Sequence, residues 1–139
     1  MNRENSSYDL VIIGGGFSGI ITAISILEKA KNFKIAIIEK LDRIGKKILS
    51  TGNGQCNLSN VNSSFQNGHY HGKNAEFCAF ALEKYDHKSL IEFFNKLGVQ
   101  TTILDDKIYP LSMQANSVLD ALRFKLESLG VKVYNNTTA

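Results

Sequence analysis

Three short stretches hold residues whose types and spacing suit chemistry. Gly14-Gly15-Gly16-Phe17-Ser18-Gly19 carries glycines at the spacing G-x-G-x-x-G. In that spacing the first glycine turns the chain out of a strand, and the second lets backbone approach a pyrophosphate. The third lets the following helix pack close. The helix start then offers backbone N–H groups and a positive dipole end to an anion. Glu39 follows the last glycine by about 20 positions, where a carboxylate can accept two hydrogen bonds from a ribose diol. An acid there disfavours a 2′-phosphate, and with it NADP. Lys40, Arg43, Lys46 and Lys47, with Gly45 among them, form the second stretch. It either folds back toward the phosphates or is a solvated basic turn. The third is TGNGQCNLSN, Thr51 to Asn60, which is uncharged and built around Cys56.

Cys56 suggests three uses. As a nucleophile it needs a neighbouring base or cation to lower its pKa. His69 and His71 follow in sequence, yet no local nucleophile signature surrounds Cys56, and a loop cysteine packed beside a ligand is the plainer reading. As a metal clip with His69, His71 and Cys78 it lacks the paired spacing of a zinc site, so no metal is expected. Asp105-Asp106 reads as turn chemistry rather than an acid/base pair. Tyr8, Tyr70, Tyr109 and Tyr134 are expected to pack in the core or at its edge.

The chain that must position these residues has 139 of them, a length for one domain, with 43% hydrophobic and 21% charged residues. Its net charge of +3 is scattered and implies no nucleic-acid partner. Two cysteines make no disulfide framework and suit a reduced, cytoplasmic setting. Leu10 to Leu27 is an uncharged apolar run that touches the length of a membrane span. Glu39 in register with the glycines favours a nucleotide-binding strand and helix instead, with no membrane partner.

Apolar, β-branched Tyr8–Ile13 predicts a strand buried on both faces. Phe17–Lys31 predicts a helix with Ile20, Ile24 and Leu27 on one stripe. Phe33–Glu39 completes a βαβ-sized unit as a second strand. Residues 40–74 show no period, and long irregular connections are usually functional or disordered. Helices are expected over 74–84 and 88–96, with Asp86 as N-cap and Gly98 as C-cap. A hairpin follows over 99–109, turning at Asp105-Asp106 and closed by Pro110. Ala115–Leu129 predicts an amphipathic helix through Val118, Leu119, Leu122, Phe124, Leu126 and Leu129. Gly130 stops it, and Val131–Tyr134 begins a third parallel strand.

GKKILSTGNGQCNLSN, residues 45–60, resembles the signature of the YhiN/BaiN-like flavoproteins, NAD(P)/FAD-dependent oxidoreductases also grouped as an aminoacetone-oxidase family. The likeness continues through YHGKNAEF, FFNKLGV and IYPLSMQANSVLDAL, so it covers almost the whole chain. It implies an α/β, Rossmann-like three-layer domain with a parallel sheet, and FAD as cofactor. Gly14, Gly16, Phe17, Ser18 and Gly19 would take the pyrophosphate and Glu39 the adenosine ribose, with Lys40 beside it. Gly45, Lys46, Lys47, Thr51, Gly52, Gly54 and Asn57 would lie along the FAD. Gln55 replaces the family's arginine, which gives up a permanent charge and a bidentate fork. Ser59 stands for a threonine.

Family members are much longer, with an inserted substrate domain and a C-terminal return. Residues 1–139 therefore read as an N-terminal piece of the FAD-binding domain. The implied parent is an FAD-dependent oxidoreductase acting on a small molecule, with NAD(P)H as a further partner. The piece alone is expected to be inactive, to bind FAD weakly or not at all, and, with apolar surface uncovered, either to self-associate or to be marginally stable. The alternative is a non-catalytic adenine-dinucleotide-binding module or an inert fragment.

Overall fold

The structure is a computed structural model that describes residues 7–66 and 68–139. The polar start, residues 1–6, and Asn67 lie outside the described residues. The chain divides into two compact units. The first runs to Leu49 and resumes from Leu122 to Ala139, and the second is Ser50–Ala121.

The first unit is a parallel sheet with helices. Strand β1 (Leu10–Ile13) leads through the glycine turn into helix α1 (Phe17–Lys29), which returns the chain to β2 (Ile35–Ile38). Strand β6 (Lys132–Tyr134) closes the sheet in the order β1-β2-β6, both pairings parallel, with Ile12 opposite Ile37 and Ile37 opposite Val133. The expected stripe of α1 is the buried one: Ile20, Ala23, Ile24 and Leu27. The helix sits on the Ile12 face, since a Cβ at Gly19 would touch Ile12 Cγ2 at 3.3 Å. The run from Leu10 to Leu27 thus divides between a strand and a helix, and no helix among the described residues is long and apolar enough to cross a membrane.

Strand β1 departs from the expectation of burial on both faces. Val11 and Ile13 are 44% and 74% exposed. Position in the sheet explains it: β1 is an outer strand, and these two side chains point to the face opposite α1. The fully enclosed strand is β2, where Ile35, Ala36 and Ile37 are all buried.

The second unit is built on an antiparallel sheet in the order β3-β5-β4, from β3 (Ser59–Asn60), β4 (Thr101–Leu104) and β5 (Lys107–Pro110). The expected hairpin is present. Asp105 and Asp106 both adopt positive φ (48° and 63°), the two-residue turn whose twist matches its strands. The region read as irregular contributes β3, and Leu58 N–H donates to the Ile108 carbonyl at 2.7 Å. A short 3₁₀ turn (Ala75–Cys78) runs into α2 (Ala79–Lys84), and α3 (His87–Lys96) follows. Asp86 caps α3 as expected, its carboxylate accepting from Ser89 N–H at 2.8 Å. Gly98 (φ +81°) ends it, with Val99 N–H reaching back to the Phe94 carbonyl at 2.9 Å. Phe94, Val99, Ile108, Tyr109 and Val118 form the core of this unit.

Helix α4 (Ala115–Ser128) carries the division between the units. Its buried stripe is Val118, Leu119, Leu122 and Leu126. Phe124 was expected on that stripe but is 68% exposed, because it lies two residues from Leu122 and from Leu126, on the other side of a 3.6-residue period. Gly130 (φ +72°) stops the helix as expected.

Candidate functional site

The glycine turn occupies the C-terminal end of β1, where open parallel sheets place their ligands. Gly14 N–H donates to the Ile38 carbonyl at 2.8 Å, which extends the ladder by one residue. The chain then turns at Gly14 itself, whose φ is +103°. Gly19 abuts the turn: a Cβ there would lie 2.1 Å from the Gly14 carbonyl oxygen. Only glycine permits this approach of helix to strand end.

Gly16 is different. It is the N-cap of α1 with φ −75° and ψ −179°, extended backbone open to any residue. A Cβ at Gly16 meets nothing within 4 Å. Neither conformation nor protein packing asks for glycine at this position. The position is open, and the setting suits an anion. No side chain caps α1, and its first turn holds no acid.

Glu39 stands beside the turn. Its Oε2 accepts Gly15 N–H at 2.7 Å and its Oε1 accepts Leu41 N–H at 2.9 Å. These two bonds, led by Leu41, hold its pKa below the ordinary 4.5 against the opposing effect of burial. The side chain is therefore an ionised carboxylate at neutral pH. A carboxylate has about four lone-pair sites, so each oxygen keeps one for a hydroxyl. A lowered folded pKa stabilises the fold fully above the ordinary value and loses that effect as pH falls through the folded one. Thermal melts of wild type and Glu39→Gln from pH 6 to 3 are thus expected to differ by a constant gap above the ordinary value of 4.5 and to draw together as pH falls below it. A gap that stays constant over that range contradicts this assignment.

The loop after β2 returns to the turn: Gly45 N–H donates to the Gly15 carbonyl at 2.7 Å. Gly14, Gly16, Phe17, Ser18, Gly19, Glu39 and Gly45 are thereby gathered at one end of the first unit's sheet. Lys40 and Lys47 are exposed, and Lys46 pairs with Asp42 at 3.1 Å, depressing that carboxyl's pKa.

Thr51, Gly52, Gly54 and Asn57 belong to the second unit. There the loop folds on itself, with Cys56 N–H donating to the Thr51 carbonyl and Gln55 N–H to that of Gly52, both at 3.0 Å. Gly52 has φ +53°, and a Cβ there would lie 2.7 Å from Asn57 N. The loop's own packing accounts for this glycine. Gln55 and Asn57 are exposed. Cys56 is buried with φ +59°, and burial pushes its thiol pKa up despite a hydrogen bond with Thr51. That is a packed thiol, not an activated one. Among the described residues no group of three His, Cys, Asp or Glu side chains could hold a metal ion.

Gly15 and Ile44 were not singled out by sequence reasoning. A Cβ at Gly15 would lie 2.3 Å from Ile44 Cγ2. The available signal was a run of three glycines where the fingerprint needs two.

Comparison with known proteins agrees with this fold. Residues 8–139 match the family described as HI0933-like protein Rossmann domain. The chain is 42% identical over 123 residues to a 3-dehydro-bile acid delta(4,6)-reductase of Clostridium scindens, covering 88% of this chain and 30% of that protein. It is 32% identical over 92 residues to a ribosomal RNA dihydrouridine synthase of Escherichia coli, covering 66% of this chain and 22% of the relative. It thus spans less than a third of either relative's length. Among solved structures, Thermovibrio ammonificans THI4 superposes with a TM-score of 0.60 at 17% identity, over 92% of this chain and 38% of that one, a likeness of fold. By its family match, its identity to the reductase and its Rossmann-type α/β fold, the chain belongs to the HI0933-like Rossmann-domain family, the YhiN/BaiN-like group that its 45–60 motif resembles.

Proposed function

We propose that this chain is the N-terminal, FAD-binding portion of a flavin-dependent oxidoreductase. The observation that carries the reading is Gly16, a glycine that neither backbone conformation nor protein packing requires, at a helix start with no side-chain cap beside an ionised, partly satisfied carboxylate. The turn from Gly14 to Gly19 would hold the pyrophosphate on backbone N–H groups, and Glu39 would hold the adenosine ribose. Gly45, Lys46 and Lys47 would follow the cofactor outward, with Lys40 at the ribose. Thr51, Gly52, Gly54 and Asn57 would lie further along it. When bound, FAD supplies hydride transfer, while the protein binds and orients it.

The relatives' names suggest the reaction class. A 3-dehydro-bile acid delta(4,6)-reductase and a dihydrouridine synthase each saturate a carbon–carbon double bond conjugated to a carbonyl. Reduction of such a bond, with NAD(P)H as the electron source, is the reaction we assign to the whole protein. Its free cysteines, Cys56 and Cys78, suit the reduced cytoplasm.

The glycine turn and Glu39 would hold the ADP half of the cofactor. By calorimetry the 139-residue chain is therefore expected to take up ADP and FAD with similar, weak affinities, within roughly 3-fold of each other. The longest native form should purify yellow, with flavin bands in its visible spectrum. A colourless native form that takes up no added FAD removes the oxidoreductase reading. Tight uptake of FAD with none of ADP removes the assignment of the glycine turn.

A further inference from the structure

Gly15 fills none of the three roles that the fingerprint spacing gives to its glycines. Yet it is the residue through which the turn, the acid and the following loop are joined. Its N–H donates to Glu39 Oε2 at 2.7 Å, and its carbonyl accepts Gly45 N–H at 2.7 Å. Its missing side chain makes room for Ile44: an added Cβ would lie 2.3 Å from Ile44 Cγ2, 2.9 Å from Ile44 Cβ and 3.3 Å from Glu39 Cβ. Gly15, Ile44 and Gly45 are all buried, so the junction is dry.

We infer that Gly15 is a positioning residue of the dinucleotide site: its absent side chain and two backbone hydrogen bonds lock the 40–47 loop and the Glu39 carboxylate against the phosphate-binding turn. The inference rests on the dinucleotide reading above. Ribose and pyrophosphate are covalently joined, so a ligand that meets both needs carboxylate and turn at one spacing. A misplacement of about 1 Å is enough to cost much of the benefit of a preformed site. Any side chain at position 15 must displace Ile44 or Glu39. Either shift stretches the bonds from Gly45 and to Glu39, because the loop between them is short.

The test uses the full chain, amide hydrogen exchange by NMR, and titration with ADP and with adenosine. In Gly15→Ala the Gly45 amide should exchange at least about tenfold faster, while amides in the middle of α1 are unchanged. The Kd for ADP should rise about tenfold or more, and by more than that for adenosine, which reaches the carboxylate without the turn. Ile44→Leu moves the branch off Cβ and removes the nearest clashing atom. Added to Gly15→Ala, it should recover at least roughly 3-fold in both readouts.

Unchanged Gly45 exchange in Gly15→Ala overturns the latch. Faster exchange with an unchanged ADP Kd, equal losses for ADP and adenosine, or no recovery with Ile44→Leu overturns the positioning role. A wild-type chain that binds no ADP overturns the dinucleotide reading and this role with it. If Gly15→Ala does not fold, Ile44→Ala loosens the same latch from the loop side and is held to the same exchange and ADP readouts.

Discussion

Gly16→Ser is expected to strengthen the fold and abolish nucleotide binding. Serine is among the preferred N-cap residues, and Gly16 already has the extended backbone of an N-cap with no side-chain cap in place. Its Cβ would enter empty space, so no packing is disturbed. The new hydroxyl can accept a backbone N–H group of the first turn. The gain is a few tenths of a kcal/mol, read as a small rise in Tm. The same hydroxyl and Cβ would stand where the proposed site holds the pyrophosphate, and they would compete for the same donors. Each hydrogen bond to a charged group is worth about 1.5–3 kcal/mol, so one lost bond and the steric block should raise the ADP Kd on the order of 100-fold. Opposite signs in the two measurements separate a ligand site from a structural turn. If Tm and ADP affinity move together, or neither moves, Gly16 is not a contact for the dinucleotide.

The second large effect is on stability. Gly19→Ala places a methyl 2.1 Å from the Gly14 carbonyl oxygen, with further contacts at 3.3 Å to Gly14 C and Ile12 Cγ2. Alanine alone would favour the helix by about 1 kcal/mol over glycine. The clash is with backbone, which cannot rotate away, and overpacking of this kind costs about 1–3 kcal/mol and occasionally more. With the contact this short the clash is expected to win by about 1–2 kcal/mol, lowering Tm by roughly 4–8 °C in a domain of this size. Urea denaturation followed by circular dichroism measures it. A variant as stable as wild type means that α1 does not pack against the turn as described.

Much of the first unit was legible because its signals are local. The apolar runs flanking the glycines, the stripe of Ile20, Ile24 and Leu27, and the acid at Glu39 each depend on spacing along a single element. The caps at Asp86, Gly98 and Gly130 and the Asp105-Asp106 turn were legible for the same reason: a cap or tight turn is decided within a few residues. The short β3 was not, since a two-residue strand has no periodicity and exists only through its pairing with β5.

The site was legible as a set of residue types but not as a division of labour. Four glycines look alike in sequence. Their environments differ: Gly14 by its φ of +103°, Gly15 by Ile44, Gly19 by the Gly14 carbonyl, and Gly16 by open space. Lys46 read as a cofactor contact through the family resemblance, while the anion it pairs with is Asp42, four residues earlier. Exposure of Val11 and Ile13 likewise depends on which strands flank β1, which no run of apolar residues records. By itself the sequence determined the βαβ unit, its acid in register and the family, because those rest on order and spacing along the chain. Only the tertiary structure decided which glycine is held by backbone, which by a side chain and which faces open space. That is a matter of distances between segments far apart in the chain, where van der Waals contact within a few tenths of an ångström decides.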